Sequence, residues 1–390
     1  MRTLLVTGPG GSGHPAVAAA TALRAARDGR RTLLLTPDRE TAAALADAAA
    51  PGPGDGPAAR PTVRLLDPAA HFRTEFLDLQ RRCAPALDLF GAAPLAAEEL
   101  TELPGAPAFA LLAALAGLAR AEDAPELLVV DLPPLPDAVA LLALPAQLRR
   151  YLRRLLPAER QAARALRPVL GKLAGVPLPA AWLYETAARR DADLAAAEEL
   201  LAAPDTSVRL VAEPSPDTVR ALRGARTGLA LHQLALDTAV AVKLLPTASP
   251  DPWLAALAAG QQAALKDVAG VLDGPPPHEL AHPGAADDPA TLPAPPPDPA
   301  PAAPAEEWTI EDHRADDGVL VWRIPLPGAA KTDLGLVRRG GELVLSVGPF
   351  RRIVPLPAVL RRCTVAGAGL ADGVLRLRFT PDPAAWPRER

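Results

Sequence analysis

Cysteine is nearly absent from this 390-residue chain, which has only Cys83 and Cys363. Two thiols so far apart exclude a cysteine-built zinc cluster and point to no structural disulfide. Met1 is the sole methionine, and aromatic residues make up 3% of the chain. Formal net charge is −4, so the basic footprint of a nucleic-acid binder is missing. No apolar run reaches the roughly 18 residues of a bilayer span. The longest candidate, Phe109 to Ala119, is too short, and no integral membrane segment is expected. The N-terminus enters a strand candidate directly, with no leader pattern, so a cytoplasmic protein is expected. Alanine, leucine, arginine and 47 prolines fill the space. That bias resembles a GC-rich genome's, and arginine-rich stretches are accordingly not read as binding patches.

What is present is organised around Gly8-Pro9-Gly10-Gly11-Ser12-Gly13-His14-Pro15-Ala16. The apolar run Leu4-Leu5-Val6 before it reads as a buried strand. The alanine-rich stretch to Arg27 reads as a helix. A strand, a glycine-rich turn and a helix N-terminus make an anion cradle, because glycines let the backbone approach and the first helical N–H groups point at the ligand. Three readings of the loop stand side by side. Gly8, Gly10 and Gly13 match the dinucleotide fingerprint G-x-G-x-x-G, with Asp38 after the second strand for a ribose. The deviant P-loop G-K-G-G-x-G-K-T-T lays its two lysines over Pro9 and His14 and a threonine over Pro15. A tight turn without ligand is the third.

Thr32 to Thr36, Val63 to Asp67, Glu126 to Asp131, Ser207 to Val211 and Asp237 to Lys243 read as further strands separated by helices, which implies a parallel α/β sheet. Asp131 ends an unbroken apolar strand, where P-loop enzymes place a carboxylate near magnesium. Its alternative is a helix cap or loop residue. Pro51 to Pro57 reads as a loop. Pro145 to Pro157 reads as an amphipathic helix whose arginine face is solvated. Between Gly274 and Pro304 there are twelve prolines, read as a semi-rigid linker without a core. Short alternating strands come after it, at Val319–Ile324, Leu334–Val337, Leu343–Val347, Arg351–Leu356 and Val374–Phe379, with turns at Gly340-Gly341 and Asp372-Gly373. The expected organisation is an α/β domain over 1–273, an isolating linker over 274–306, and an independent β-sandwich over 307–381.

In order and spacing these pieces resemble the family of the arsenite-pump ATPase ArsA and the tail-anchored-protein-targeting ATPases. The resemblance is to the bacterial branch that carries a C-terminal α-crystallin-like (small heat-shock protein-like) domain. Its carriers are Gly8–Gly13 with Val17 to Ala22, Glu99 to Gly105, Val129-Val130-Asp131 with Leu141 to Pro145, Asp251-Pro252-Trp253-Leu254, Ile324 to Gly328 and Ala371 to Phe379. The resemblance implies a P-loop fold, ATP or ADP with magnesium at Gly8, Gly10, Gly11, Ser12, Gly13, His14, Pro15 and Ala16, and dimerisation around nucleotide.

The departures shape the functional expectation. The family's first loop lysine reaches the partner subunit's nucleotide, and Pro9 cannot. The second holds phosphate as a fixed charge, whereas His14 is mostly neutral near pH 7. Pro15 lacks both the hydroxyl that binds magnesium and a backbone N–H. The switch motifs near Thr36–Glu40 and Asp131–Asp137 are scrambled, and Lys243 stands where the family has an adenine-contacting asparagine. ATP or ADP should therefore bind weakly, with magnesium left open and no metal site expected from the side chains. Hydrolysis should be negligible. The expected role is a chaperone-like scaffold or client-binding protein that forms a homodimer or pairs with an intact paralogue. The alternatives are an active ATPase with an atypical loop and a dinucleotide-binding protein.

Overall fold

The computed structural model describes residues 1–48, 60–89, 91–156, 181–284, 291–293, 295 and 307–384. The loop expected at Pro51 to Pro57 lies outside them. In chain order the first body contains β1 (Arg2–Thr7), α1 (His14–Arg27), β2 (Thr32–Thr36), α2 (Arg39–Ala48), β3 (Thr62–Leu65), α3 (Pro68–Leu89), α4 (Ala106–Ala119), β4 (Leu127–Asp131) and α5 (Asp137–Leu155). It continues with α6 (Ala181–Ala202), β5 (Thr206–Ala212), α7 (Pro216–His232), β6 (Leu236–Leu244), α8 (Pro252–Leu272) and β7 (His278–Ala281).

The strands form one seven-stranded sheet in the order β3-β2-β4-β1-β5-β6-β7, with every neighbour parallel. The apolar runs read as buried strands lie at its centre, and all six residues of β1 and all five of β4 are buried. Side chains alternate between two cores. Leu4, Val6, Leu127 and Val129 face α1 and α2, while Leu5, Leu128 and Val130 face the helices of the other side. α1 buries an almost continuous alanine surface, whose small side chains let the helix lie close against the sheet.

The proline-rich stretch departs from the sequence expectation. His278–Ala281, expected in a coreless linker, pairs with β6 as the seventh strand. Its one deeply buried side chain, Leu280, joins the core beside α1. Four residues with a single inward leucine leave little periodic signal among prolines. Leu292 also packs against that core, so part of the proline-rich stretch covers the sheet where no helix does.

The second body is a β-sandwich. One sheet has the order β13-β14-β9-β8 and the other β10-β11-β12. The strands are β8 (Thr309–His313), β9 (Val319–Pro325), β10 (Leu334–Arg339), β11 (Glu342–Val347), β12 (Phe350–Pro355), β13 (Cys363–Ala371) and β14 (Val374–Pro381), all antiparallel to their neighbours. β11 alternates buried Leu343, Leu345 and Val347 with half-exposed residues, the period of a one-sided strand.

The sandwich is not isolated by the linker. It is seated on α5 and α7, and its core is continuous with that of the sheet. Phe350 lies so close to Val139 and Gly228 that a Cβ on Gly228 would stand 2.8 Å from its ring. Arg150 donates to both oxygens of Glu342, at 3.1 and 2.7 Å. Arg352 donates to Leu231 O at 2.8 Å, and Thr227 Oγ1 donates to Pro327 O at 2.6 Å. The arginine face of α5, expected to be solvated, is therefore partly engaged. Arg149 also donates to Asp191 and Glu198 at 3.1 and 2.6 Å. Patterns of local hydropathy carry no trace of such non-local pairs.

Candidate functional site

The loop Gly8–Gly13 leaves the carboxyl end of β1, whose neighbours β4 and β5 run to opposite halves of the chain. This is the topological switch point, where open parallel sheets bind ligands. Gly8 is required there, because a Cβ would meet Val211 O at 2.0 Å and Ser12 Oγ at 2.5 Å. Gly11 and Gly13 take left-handed conformations, with φ of 81° and 72°, which turn the chain into α1. The loop is braced by Ser12 N donating to Pro9 O at 3.1 Å and Leu135 N donating to Gly8 O at 3.0 Å. Pro15 sits in the first helical turn, where a proline's missing N–H leaves no intrahelical bond unmade.

His14 turns its ring inward. Nε2 lies 2.9 Å from Leu132 O and Nδ1 lies 3.3 Å from Ser12 Oγ. A carbonyl only accepts, so Nε2 carries the hydrogen. Burial lowers the pKa from its ordinary value, against the raising effect of the Leu132 bond, which favours a neutral ring whose Nδ1 accepts from the serine hydroxyl. Asp131 is 2% exposed. Its Oδ2 accepts from Thr36 Oγ1 at 2.7 Å, while Oδ1 has no hydrogen-bond partner and faces His14 Nε2 at 3.6 Å. Burial pushes the Asp131 carboxyl up to about 7, against the lowering effect of the Thr36 hydroxyl. Burial thus favours the neutral form of both groups.

Lys243 holds a left-handed backbone at φ 58°. The Gln261 side chain brackets it, accepting from Leu245 N at 2.8 Å and donating to Lys243 O at 2.9 Å. Its ammonium donates to Gly11 O at 3.1 Å and lies 3.8 Å from Glu213. Ser12, Gly13, Val17, Lys243, Leu280, Pro283 and Leu292 enclose only about 10 Å³ of free space beside the loop.

The structure therefore gathers Gly8 to Ala16, Asp131 and Lys243 at one place. Asp38 borders it, with its backbone N donating to Thr36 Oγ1 at 3.0 Å and its charge adding to the rise of the Asp131 carboxyl. The Asp38 carboxylate accepts from Glu40 N and Thr41 Oγ1 at the start of α2, at 3.0 and 2.6 Å, as an N-cap does. Sequence reasoning missed Thr36 as the partner of Asp131 and Leu292 as a neighbour of the loop. Among the described residues no group of three or more His, Cys, Asp or Glu side chains could hold a metal ion. None of the described helices is long and apolar enough to cross a membrane.

Similarity to known proteins agrees with this geometry. Residues 317–379 match the HSP20-like domain found in ArsA. A relative from Streptomyces coelicolor, the uncharacterized protein SCO2128, is 55% identical over 100% of both chains. Protein Rv2184c of Mycobacterium tuberculosis is 30% identical, covering 99% of this chain and 97% of its own. The putative arsenical pump-driving ATPase 1 of Aquifex aeolicus is 24% identical, over 93% of this chain and 95% of its own. With residues 1–273 matching the anion-transporting ATPase family, this chain belongs to that family and is ArsA-like.

Proposed function

We propose that this chain is an ArsA-family ATPase homologue that no longer hydrolyses ATP and acts as a scaffold or partner-binding protein. The observation that carries the reading is the inward turn of His14. The side chain at the phosphate-holding lysine's position is neutral and bonded to Leu132 O, so it offers the loop no fixed charge. P-loop catalysis is mostly positioning and charge stabilisation, and loss of one such group removes on the order of 3 kcal/mol of transition-state stabilisation.

The family's magnesium fits these side chains poorly. Pro15 has no hydroxyl, and Thr36 gives its hydroxyl to Asp131. The open oxygen of Asp131 faces the His14 N–H, in a carboxyl that burial pushes up to about 7. No step is therefore assigned to magnesium. The occupied carboxylate of Asp38 disfavours the dinucleotide alternative. For partner binding, the sandwich offers β8, β10 and β13 as outer strands, while β12 lies against α5 and α7. An extended partner segment would add to one of the uncovered edges. A homodimer or a pair with an intact paralogue is the accompanying assembly.

Steady-state ATP turnover with magnesium tests the reading, with titration of ATP alongside. Turnover at background is expected. Activity within tenfold of an intact arsenical pump-driving ATPase would overturn it.

A further inference from the structure

The described residues of the proline-rich stretch form a strap beside the loop. Leu292 packs against the core cluster that contains Val17 and Leu280, and with Ser12, Gly13, Lys243 and Pro283 it lines the small space beside the loop. Pro295 O accepts from Arg209 Nη1 at 2.9 Å, and that guanidinium nitrogen also donates to Thr21, one helical turn beyond Val17. Pro293 O lies 3.3 Å from His278 Nε2. Leu292 thus lies by the first turn of α1 and Pro295 by the second, beside Arg209 of β5.

A ligand whose phosphate sits on the loop must extend over the ends of the strands beside β1. The β4 side is closed by the segment after Asp131, where Thr7 Oγ1 donates to Pro133 O at 2.7 Å and Leu135 N donates to Gly8 O. That segment is continuous with β4 and α5 and cannot swing out without unravelling them. The β6 side is closed by Leu292, which with the described residues Thr291, Pro293 and Pro295 belongs to no helix or strand, and the remaining 10 Å³ holds about one water and no nucleoside.

We propose that Leu292 is an intramolecular plug: the strap competes with the nucleoside part of any nucleotide for the Lys243 side of the loop, while leaving the loop's response to base-free phosphates unchanged. This rests on the reading of Gly8–Ala16 as an ArsA-type phosphate loop. A strap seated nine-tenths of the time weakens a competing ligand about tenfold.

The test uses the full chain, a fluorescent ADP analogue and inorganic pyrophosphate, with wild type and Leu292→Ser compared after thermal melting confirms that both are folded. The plug requires at least ~tenfold tighter binding of the ADP analogue in Leu292→Ser and less than ~twofold change for pyrophosphate. Equal changes for both ligands, or no gain for ADP, overturn the plug. ATP turnover by wild type would overturn the preceding functional reading without touching this one. If Leu292→Ser does not fold, amide exchange of wild type decides. Saturating ADP must accelerate exchange at Thr291 and Leu292, and unchanged exchange overturns the plug.

Discussion

His14 Nε2 lies 3.6 Å from Asp131 Oδ1, and that buried oxygen has no hydrogen-bond partner. The pair makes stability depend on pH in a separable way. Asp131 holds its proton to about pH 7 in the folded chain and to about 3.9 in the unfolded one. Between those values the unfolded state binds fewer protons, so this carboxyl's contribution falls as pH rises through that window and is flat above it. The ceiling is about 4 kcal/mol, at ~1.4 kcal/mol for each unit. His14 acts oppositely. Its folded pKa is lowered, so its contribution is complete above about 6.5 and lost below. Asp131→Asn, an uncharged near-isostere, removes only the first effect. Its stability relative to wild type should rise between pH 4 and pH 7 and then level off, as measured by urea unfolding across that range. A difference independent of pH would show that Asp131 is ionised and compensated in the folded state.

Gly8→Ala should destabilise the chain by about 1–3 kcal/mol, the usual penalty for overpacking. The added carbon would meet a backbone carbonyl, Val211 O, at 2.0 Å, and β5 cannot yield without disturbing its pairing with β1. Gly10→Ala, where a Cβ meets nothing within 4 Å, should stay within ~0.5 kcal/mol of wild type. Chemical denaturation of the two variants side by side separates a packing requirement from a general need for glycine in the loop.

Much of this arrangement is legible in the sequence, for identifiable reasons. The central strands announce themselves because parallel strands buried on both faces are continuously apolar, as Leu127 to Val130 is. The sandwich strands β9, β11 and β14 announce themselves by alternation. β13 escapes recognition, because Cys363-Thr364-Val365-Ala366-Gly367-Ala368-Gly369-Leu370-Ala371 has too few large side chains to alternate. The loop and Asp131 can be located, since the one follows a strand and the other ends one. The inward turn of His14 cannot, since it depends on a carbonyl 118 residues away in sequence. Arg209 reads as one residue of an apolar strand, yet it is 1% exposed and forks onto Asp237.

Phe350→Ala should loosen the seat of the sandwich on the sheet. The ring fills the gap between Val139 and Gly228, and truncating a buried phenylalanine costs about 3–5 kcal/mol. Wild type should unfold in one calorimetric transition, because the two bodies share a core. The variant should show two, or a lowered midpoint with the sandwich melting first. Reversing one charge of the Arg150–Glu342 fork should weaken the same seat, and exchanging both residues should restore it. An unchanged calorimetric profile in Phe350→Ala would mean that the seat contributes little to cooperativity.

Asp237 joins two buried arginines. Its Oδ2 accepts from Arg209 Nε and Nη2 at 2.9 and 2.7 Å, and its Oδ1 accepts from Arg2 Nη2 at 3.1 Å. Arg2 also donates to Ser207 Oγ at 2.6 Å and Asp205 O at 2.7 Å. Both arginines are buried, so one carboxylate serves two desolvated cations at the junction of β1, β5 and β6. Removing one partner of a buried ion pair costs about 3–5 kcal/mol, chiefly because the remaining charge is left uncompensated. Asp237→Ala should therefore lie at or beyond the upper end of that range, and Asp237→Asn, which keeps the acceptor oxygen but not the charge, should fall below it. Arg209→Met should be milder than Asp237→Ala, since it removes a buried charge along with its partner's bond and leaves Asp237 paired with Arg2. Denaturant midpoints for the three variants check the order. If Asp237→Ala is no worse than Arg209→Met, the cluster is solvated in solution and the burial argument for it fails.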